Sequence, residues 1–167
     1  TVRQHAHDAW NTRLGRIQVG GGTGDQVATF YTALYHALLH PNVFSDDDGR
    51  YSGADRQTHT LAEGQQAQYA NFSGWDVYRS QVQLIALLAP AEAADIAQSA
   101  INQGTQGGYL DRWTVANGGT GVMVSDPLSI IVANMYAFGA TGFDAQTGLT
   151  RMTAGSHDGR QRPGFAQ

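Results

Sequence analysis

The sequence contains no cysteine, only four prolines, and few charged residues, which make up 14% of its 167 positions. Without cysteine the chain can form neither a disulfide nor a thiolate metal site. Ten Lys and Arg stand against fourteen Asp and Glu, for a formal net charge of −4 at pH 7. The chain therefore lacks the positive excess typical of nucleic-acid binding. No apolar run approaches the roughly 18 residues of a membrane span. We expect neither nucleic acid nor a membrane as a partner.

Glycine and apolar residues are abundant instead, with 21 glycines and a hydrophobic content of 41%. A chain of this length can bury a packed core of its own. Apolar residues recur at helical spacing in at least three segments, and no stretch shows the alternation of a half-buried strand. We predict an all-α protein of about six helices, with long polar loops and no convincing strand pair.

The clearest helical pattern runs over residues 26–39, where apolar side chains recur at spacings of three and four. Asp25 is the expected N-cap, and Pro41 ends the pattern because the residue before proline avoids the α region. The preceding glycine-rich run, residues 19–25, invites a phosphate-loop interpretation. It lacks the Gly-Lys-Ser/Thr ending and no strand precedes it, so a connector is the favoured interpretation.

The stretch with the most chemistry is residues 69–88, YANFSGWDVYRSQVQLIALL. Ser73 is a candidate N-cap for one helix that continues to Leu88. Asp76 and Arg79 are three apart and share a face near its start. An acid and an arginine beside Trp75 could bind sugar hydroxyls, or they could form a structural ion pair beneath the indole. The spacing alone leaves both interpretations open.

The remaining segments predict further helices and loops. Pro90 suits the first turn of a helix over residues 91–103 with Gly104 as its C-cap. Asp126 and Pro127 open another helix over residues 128–138, and one more helix follows over residues 144–153. Residues 55–68 are expected to form an exposed loop. The three acids at positions 46–48 lack the alternate spacing of a calcium-binding EF-hand, so we interpret them as a polar turn.

Four blocks carry a family resemblance: FYTALYHALLHPNVFSDDDGRYSG, NFSGWDVYRSQVQLIALL, NGGTGVM and AFGATGFD. Together they resemble glycoside hydrolase family 92, the calcium-dependent, inverting exo-α-mannosidases. The resemblance implies an (α/α)6 barrel preceded by an N-terminal β-sandwich. Residues 1–167 would then be a single segment of the barrel, with the sandwich and the other barrel segments absent. Those segments of the same enzyme are implied partners.

The resemblance also implies the chemistry and the setting. A family member binds an α-mannoside and uses calcium to hold and distort the sugar. It inverts the anomeric carbon with one carboxylic acid and one carboxylate that activates water. The general base and most calcium ligands would lie outside this chain. The protein would be secreted or periplasmic, although this segment shows no signal peptide.

The family's general acid falls in a Gly-Asn-Glu-Thr pattern, with Met four residues after the Glu. Aligning Met123 places Thr120 on the Thr and Gly119 on the Glu. Glycine cannot donate a proton, so this chain departs from the family at its acid. Asp111 and Asp126 are the nearest carboxylates in the sequence, but neither matches the motif. A mannosyl phosphate needs no proton on its leaving group, so mannosyl-phosphate glycans are included among the expected substrates.

The same resemblance implies five substrate-binding residues. Trp75, Asp76 and Arg79 match the family's Trp-Asp-x-Tyr-Arg segment, and Asp47 and Arg50 match its loop between barrel helices. An indole can stack on the apolar side of a pyranose, and a carboxylate can accept two adjacent hydroxyls through charge-assisted bonds.

Three classes of function follow. The leading class is a segment of an α-mannosidase that is inactive by itself. The second is a mannose-binding module without catalysis, suggested by Gly119. The third is a structural helical domain in which Trp75, Asp76 and Arg79 only pack.

Overall fold

The computed structural model describes residues 1–157. These form two compact units, residues 1–39 and a larger unit that begins at His40. The helices are α1 (Val2–Leu14), α2 (Gly24–Ala37), α3 (Gly74–Val77), α4 (Gln81–Leu88), α5 (Pro90–Gly107), α6 (Pro127–Ala137) and α7 (Ala145–Ser156). The strands are β1 (Asn42–Val43), β2 (Arg50–Ser52), β3 (Thr58–Thr60), β4 (Tyr69–Ala70), β5 (Thr114–Val115) and β6 (Gly118–Gly119). About half of the chain is helical and strands are few, as the helical periodicity predicted. No helix among these residues is long and apolar enough to cross a membrane.

The first unit is a pair of helices. Thr23, not Asp25 as predicted, is the N-cap of α2: its hydroxyl accepts the Gln26 amide while the Gln26 side chain accepts the Thr23 amide. This reciprocal pair satisfies two amides that the first turn leaves free. The edge of Trp10 on α1 meets the ring of Tyr35 on α2, with centroids 4.6 Å apart. Residues 19–23 of the glycine-rich run connect these helices, as expected, and its last two residues begin α2.

The core of the second unit lies where α4, α5 and α6 pack together. Alanines such as Ala93, Ala97 and Ala100 line the buried face of α5, and their small side chains let α5 approach its neighbours closely. The predicted C-cap was wrong, because α5 continues past Gly104 to Gly107 and ends at Gly108, whose φ is +89°. Gly104 lies inside the helix, where a Cβ would come within 2.8 Å of the Leu110 side chain.

The predicted single helix over residues 73–88 is divided into α3 and α4. Between them, Ser80 adopts φ −150° and ψ −31°, outside the helical region. The Gln83 side chain donates to the Tyr78 carbonyl at 3.0 Å, satisfying an acceptor that the break releases. Because α3 packs against α6 while α4 packs against α5 and α6, the break lets the two short helices bury different faces.

The expectation of no strand pair was wrong, since three short antiparallel pairs form: β1 with β4, β2 with β3, and β5 with β6. Each strand has only two or three residues, too few for alternation to appear in the sequence. The pairs lie in the loops before and after α3–α5. They fix loop positions, while most of the packed core comes from the helices, with Tyr51 on β2, Ala70 on β4 and the loop residues Phe72 and Leu110 also buried.

Candidate functional site

A tight hairpin of β5 and β6 organises the site. Its two turn residues, Ala116 and Asn117, have φ of +46° and +61°, as a two-residue hairpin turn that matches strand twist requires. The Asn117 side chain is 1% exposed. It accepts a hydrogen bond from Gln103 on α5 and donates to the Ser52 carbonyl at 2.9 Å. The tip of the hairpin is therefore fixed to a core helix and to β2.

The hairpin is joined to the segment that leads into α3. The Thr114 amide donates to the Phe72 carbonyl at 3.0 Å, and the Ala116 amide donates to Asn71 Oδ1 at 2.9 Å. Beyond the hairpin, the indole N–H of Trp75 donates to the Val124 carbonyl at 2.9 Å. These bonds place Trp75 against the loop of residues 109–125, which we call the hairpin loop.

The structure brings Trp75, Asp76 and Arg79 together at α3. The Arg79 guanidinium lies 5.8 Å from the Trp75 ring centroid and 5.2 Å from that of Tyr78, within cation–π range. Asp76 Oδ2 accepts the Ser73 hydroxyl at 2.7 Å, so Ser73 orients a carboxylate and does not cap a backbone amide. Within residues 1–157, Asp76 and Arg79 form no ion pair with each other. The ion-pair interpretation was therefore wrong, and both polar ends are exposed.

Asp47 lies in the turn between β1 and β2, and Arg50 is the first residue of β2. The Arg50 Nε donates to Asp48 Oδ2 at 2.6 Å, and the Arg50 amide donates to Asp48 Oδ1 at 3.0 Å. These two bonds, the amide first, lower the pKa of Asp48. No hydrogen bond or ion pair in the described part of the chain joins Asp47 or Arg50 to Trp75. Both side chains are exposed.

Gly119 lies on the exposed strand β6, and its backbone φ is not in the left-handed region. A Cβ built on it would overlap Asp111 Oδ2. The half-buried Asp111 carboxylate thus fills the space that a side chain at position 119 would enter. Asp111 Oδ1 accepts the Arg112 amide at 2.6 Å, and Oδ2 accepts the Tyr109 hydroxyl at 3.3 Å. Sequence reasoning named Asp111 only as a nearby carboxylate, since pairing across a hairpin is not visible in spacing.

The hairpin loop also holds unusual backbone conformations. Besides the two turn residues, Met123 and Ser125 have φ of +63° and +69°. Each such non-glycine residue carries a conformational cost, and such residues cluster at functional sites. The loop is held by its own bonds, since the Arg112 Nε donates to the Val122 carbonyl at 3.1 Å. The Thr120 amide donates to the Trp113 carbonyl at the same distance.

Residues 65–68, predicted to be part of an exposed loop, are instead held against α5, and the side chains of Gln65 and Gln68 are buried. Asp95 Oδ2 accepts the amides of Gln66 and Ala67, both at 3.1 Å. Burial raises the pKa of Asp95, and these two amide bonds oppose that rise. Nothing in the sequence marks this polar network, which fastens the chain just before β4 and so helps to position α3.

The described residues contain no group of three or more His, Asp or Glu side chains that could hold a metal ion. Of the acids at positions 46–48, Asp48 is engaged by the Arg50 guanidinium. The residues present therefore do not fit a complete calcium site.

Comparisons with known proteins identify the family of the chain. A model of the glycosyl hydrolase family 92 catalytic domain matches residues 1–166. The chain belongs to glycosyl hydrolase family 92. No curated protein matches it at a significant level.

Solved structures give the same assignment. The chain is 29% identical to the family GH92 alpha-mannosidase BT3965 from Bacteroides thetaiotaomicron, with a TM-score of 0.86 over 93% of this chain and 21% of that one. A complex of the same enzyme with mannoimidazole also matches, over 20% of its chain. The inverting mannosidase BT2199 from the same organism is 30% identical, with a TM-score of 0.80 over 90% of this chain and 20% of that one. The chain thus spans about a fifth of the length of these enzymes.

Proposed function

We propose that this chain is one segment of an α-mannosidase that hydrolyses terminal α-mannosides. The observation that carries the proposal is the family 92 catalytic-domain match over residues 1–166. The likeness to two mannosidases supports it, one of them solved with mannoimidazole. In this proposal residues 1–167 belong to an (α/α)6 barrel. Other segments of the same secreted or periplasmic enzyme, with a β-sandwich, complete it.

The sugar-binding part of the proposal rests on α3. Trp75 is half-buried and fixed by the Val124 carbonyl, while Arg79 covers one region of its ring. The remaining indole surface offers a rigid apolar platform for a pyranose. Asp76 uses only Oδ2 within the described chain, which leaves Oδ1 to accept a sugar hydroxyl. Asp47 and Arg50 would contact a substrate that extends toward the β1–β2 turn.

The reaction proposed is single-step inversion. Water attacks the anomeric carbon while the glycosidic oxygen leaves, and two carboxyl groups about 6.5–9.5 Å apart handle the protons. The general base belongs to another segment of the enzyme, as do the ligands of the calcium ion that we expect. Mannosyl phosphodiesters are proposed substrates as well, because their phosphate leaving group departs without a proton.

A mannose-binding module is the second candidate, and Gly119 is the observation that favours it. A chain without an acid at that position could retain the α3 platform and bind sugar without cleaving it. A structural domain is the third candidate, and no observation on the described residues favours it over the first two.

The test is to measure turnover and binding of α-mannosides by the full-length enzyme. We expect hydrolysis, with proton NMR showing β-mannose as the first product, as inversion requires. Binding without turnover would favour the module. Neither binding nor turnover, with an intact fold by circular dichroism, would favour the structural domain.

A further inference from the structure

Position 119 has no side chain, yet a carboxylate occupies the space beside it. A Cβ on Gly119 would overlap Asp111 Oδ2, the far end of a side chain that comes from the opposite arm of the hairpin loop. We propose that Asp111 is the proton donor of this enzyme and replaces the acid missing at position 119. This inference rests on the proposed function.

The bonds to the two Asp111 oxygens suit such a donor. Oδ1 accepts the Arg112 amide at 2.6 Å, and that bond favours the oxygen without a proton. In the proposed donor the transferred proton is then carried by Oδ2, the oxygen that faces Gly119. Near Oδ2 lies the Tyr109 hydroxyl, at 3.3 Å, which can donate to the carboxylate and also accept from the protonated acid. One oxygen is therefore anchored, and the other is free to exchange its proton.

Asp111 is accessible to a substrate, and the hairpin beside it is held in place. Gly118, Gly119 and Thr120 are exposed and Asp111 is half-buried, so a substrate oxygen can approach over the small glycines. Meanwhile the buried Asn117 holds the hairpin tip to the core. A larger residue at position 119 would displace the carboxylate. The absence of a side chain at Gly119 therefore leaves room for the Asp111 carboxylate.

The proposed step conserves atoms and electrons. The bond between the anomeric carbon and the glycosidic oxygen breaks, and its electron pair goes to that oxygen, which takes the proton from Asp111 Oδ2. Water forms the new bond to the anomeric carbon and gives its proton to the general base, a carboxylate from another segment. Asp111 later regains a proton from solvent. Leaving groups that are stable as anions do not need the donor.

The test is Asp111→Asn in the full-length enzyme, since asparagine retains the size of the side chain and an acceptor for the Arg112 amide. Rates are measured on a mannose disaccharide and on a mannosyl phosphodiester. We expect the disaccharide rate to fall by about 10²–10⁴-fold, the usual contribution of a general acid, while the phosphodiester rate changes by only a few fold. Asp144→Asn is the matched control, because asparagine still caps the start of α7 and Asp144 lies far along the chain from the hairpin loop.

A second variant keeps the proposal falsifiable should Asp111→Asn fold poorly. The exchange Asp111→Gly with Gly119→Glu removes the overlap and returns a carboxyl to position 119. It should recover much of the disaccharide rate that Asp111→Gly alone loses. Equal loss on both substrates, or no loss on either, would overturn the role of Asp111 while leaving the mannosidase intact. A wild-type enzyme that cleaves neither substrate would overturn the proposed function, and this inference with it.

Discussion

Two polar regions of the second unit differ in how completely their groups are bonded. In the network of Gln65, Gln68 and Asp95, buried side chains meet fixed partners on α5, including the Ser99 hydroxyl at 3.0 Å from Gln65 Nε2. In the hairpin loop and α3, the acids Asp76 and Asp111 are partly or fully exposed, and each keeps bonding capacity unused by the described chain. Full bonding stabilises a conformation, whereas unused capacity at an exposed carboxylate is available to a ligand.

The buried network positions the site, and the exposed acids are available for its chemistry. The buried network fastens residues 65–69 before β4, and β4 leads through Phe72 to α3. A polar group buried without partners is costly, so the network has one favourable arrangement. Because its bonds hold the backbone just before β4, that arrangement also fixes where β4 and α3 begin. The exposed acids depend on that arrangement for their location, and their chemistry needs solvent access.

We expect the largest effect on stability from substitution of Asn117. This residue belongs to the hairpin loop, but its side chain is buried and fully bonded like those of the buried network. Asn117→Ala leaves the Ser52 carbonyl and the Gln103 side chain without their partner, which should cost about 1–3 kcal/mol of unfolding free energy. Calorimetry of the full-length enzyme should show a lower melting temperature together with a loss of mannosidase activity. Leu149→Ala, at an exposed position on α7 outside the hairpin loop, is the control and should change neither. A stable, fully active Asn117→Ala would show that the hairpin tip needs no anchor.

Substitution of Asp76 tests whether the exposed acids bind a ligand. Asp76→Asn should weaken mannose affinity with little change in melting temperature, because a charge-assisted bond to a hydroxyl contributes about 1.5–3 kcal/mol. Isothermal titration of the full-length enzyme measures the affinity. Ser73→Ala removes only the hydroxyl that orients the carboxylate and should have a smaller effect in the same direction. If the melting temperature falls and affinity does not, Asp76 is structural.

Asp95 should make the stability of the buried network depend on pH. Its pKa in the folded protein is raised above the ordinary value of 3.8, chiefly by burial. The folded state therefore holds its proton more tightly than the unfolded state, and the contribution of this group to stability decreases as pH rises from about 4 through the raised pKa. In Asp95→Asn the melting temperature should change less over that interval than in the wild type. Identical pH profiles would contradict the assignment.

Arg50 provides the smallest expected effect on stability. Its ion pair with Asp48 is exposed, and exposed pairs contribute little. Arg50→Gln should leave the melting temperature unchanged, while affinity for an extended mannose oligosaccharide should fall if the β1–β2 turn contacts substrate. Unchanged affinity would restrict the sugar-binding surface to α3 and the hairpin loop.

The helices could be predicted from the sequence because their apolar spacing is local. The predicted bounds of α2 and of α6, which begins at Asp126-Pro127, lie within two residues of the observed bounds. The break at Ser80 could not be predicted, since it depends on α3 and α4 packing against different partners. Likewise, the adjacency of Asp111 and Gly119 arises from a two-residue turn whose strands are too short to show alternation. The grouping of Trp75, Asp76 and Arg79 could be predicted because they are close in sequence, whereas the Ser73–Asp76 hydrogen bond and the contacts of Arg79 with the aromatic rings were not predicted.

The central claim, that α3 and the hairpin loop form a sugar site, is tested most directly by a crystal structure of the full-length enzyme with mannose bound. We predict a pyranose ring against Trp75, a sugar hydroxyl bonded to Asp76, and the anomeric oxygen within hydrogen-bond distance of Asp111 Oδ2. Mannose bound elsewhere, with neither carboxylate in contact with it, would contradict the account.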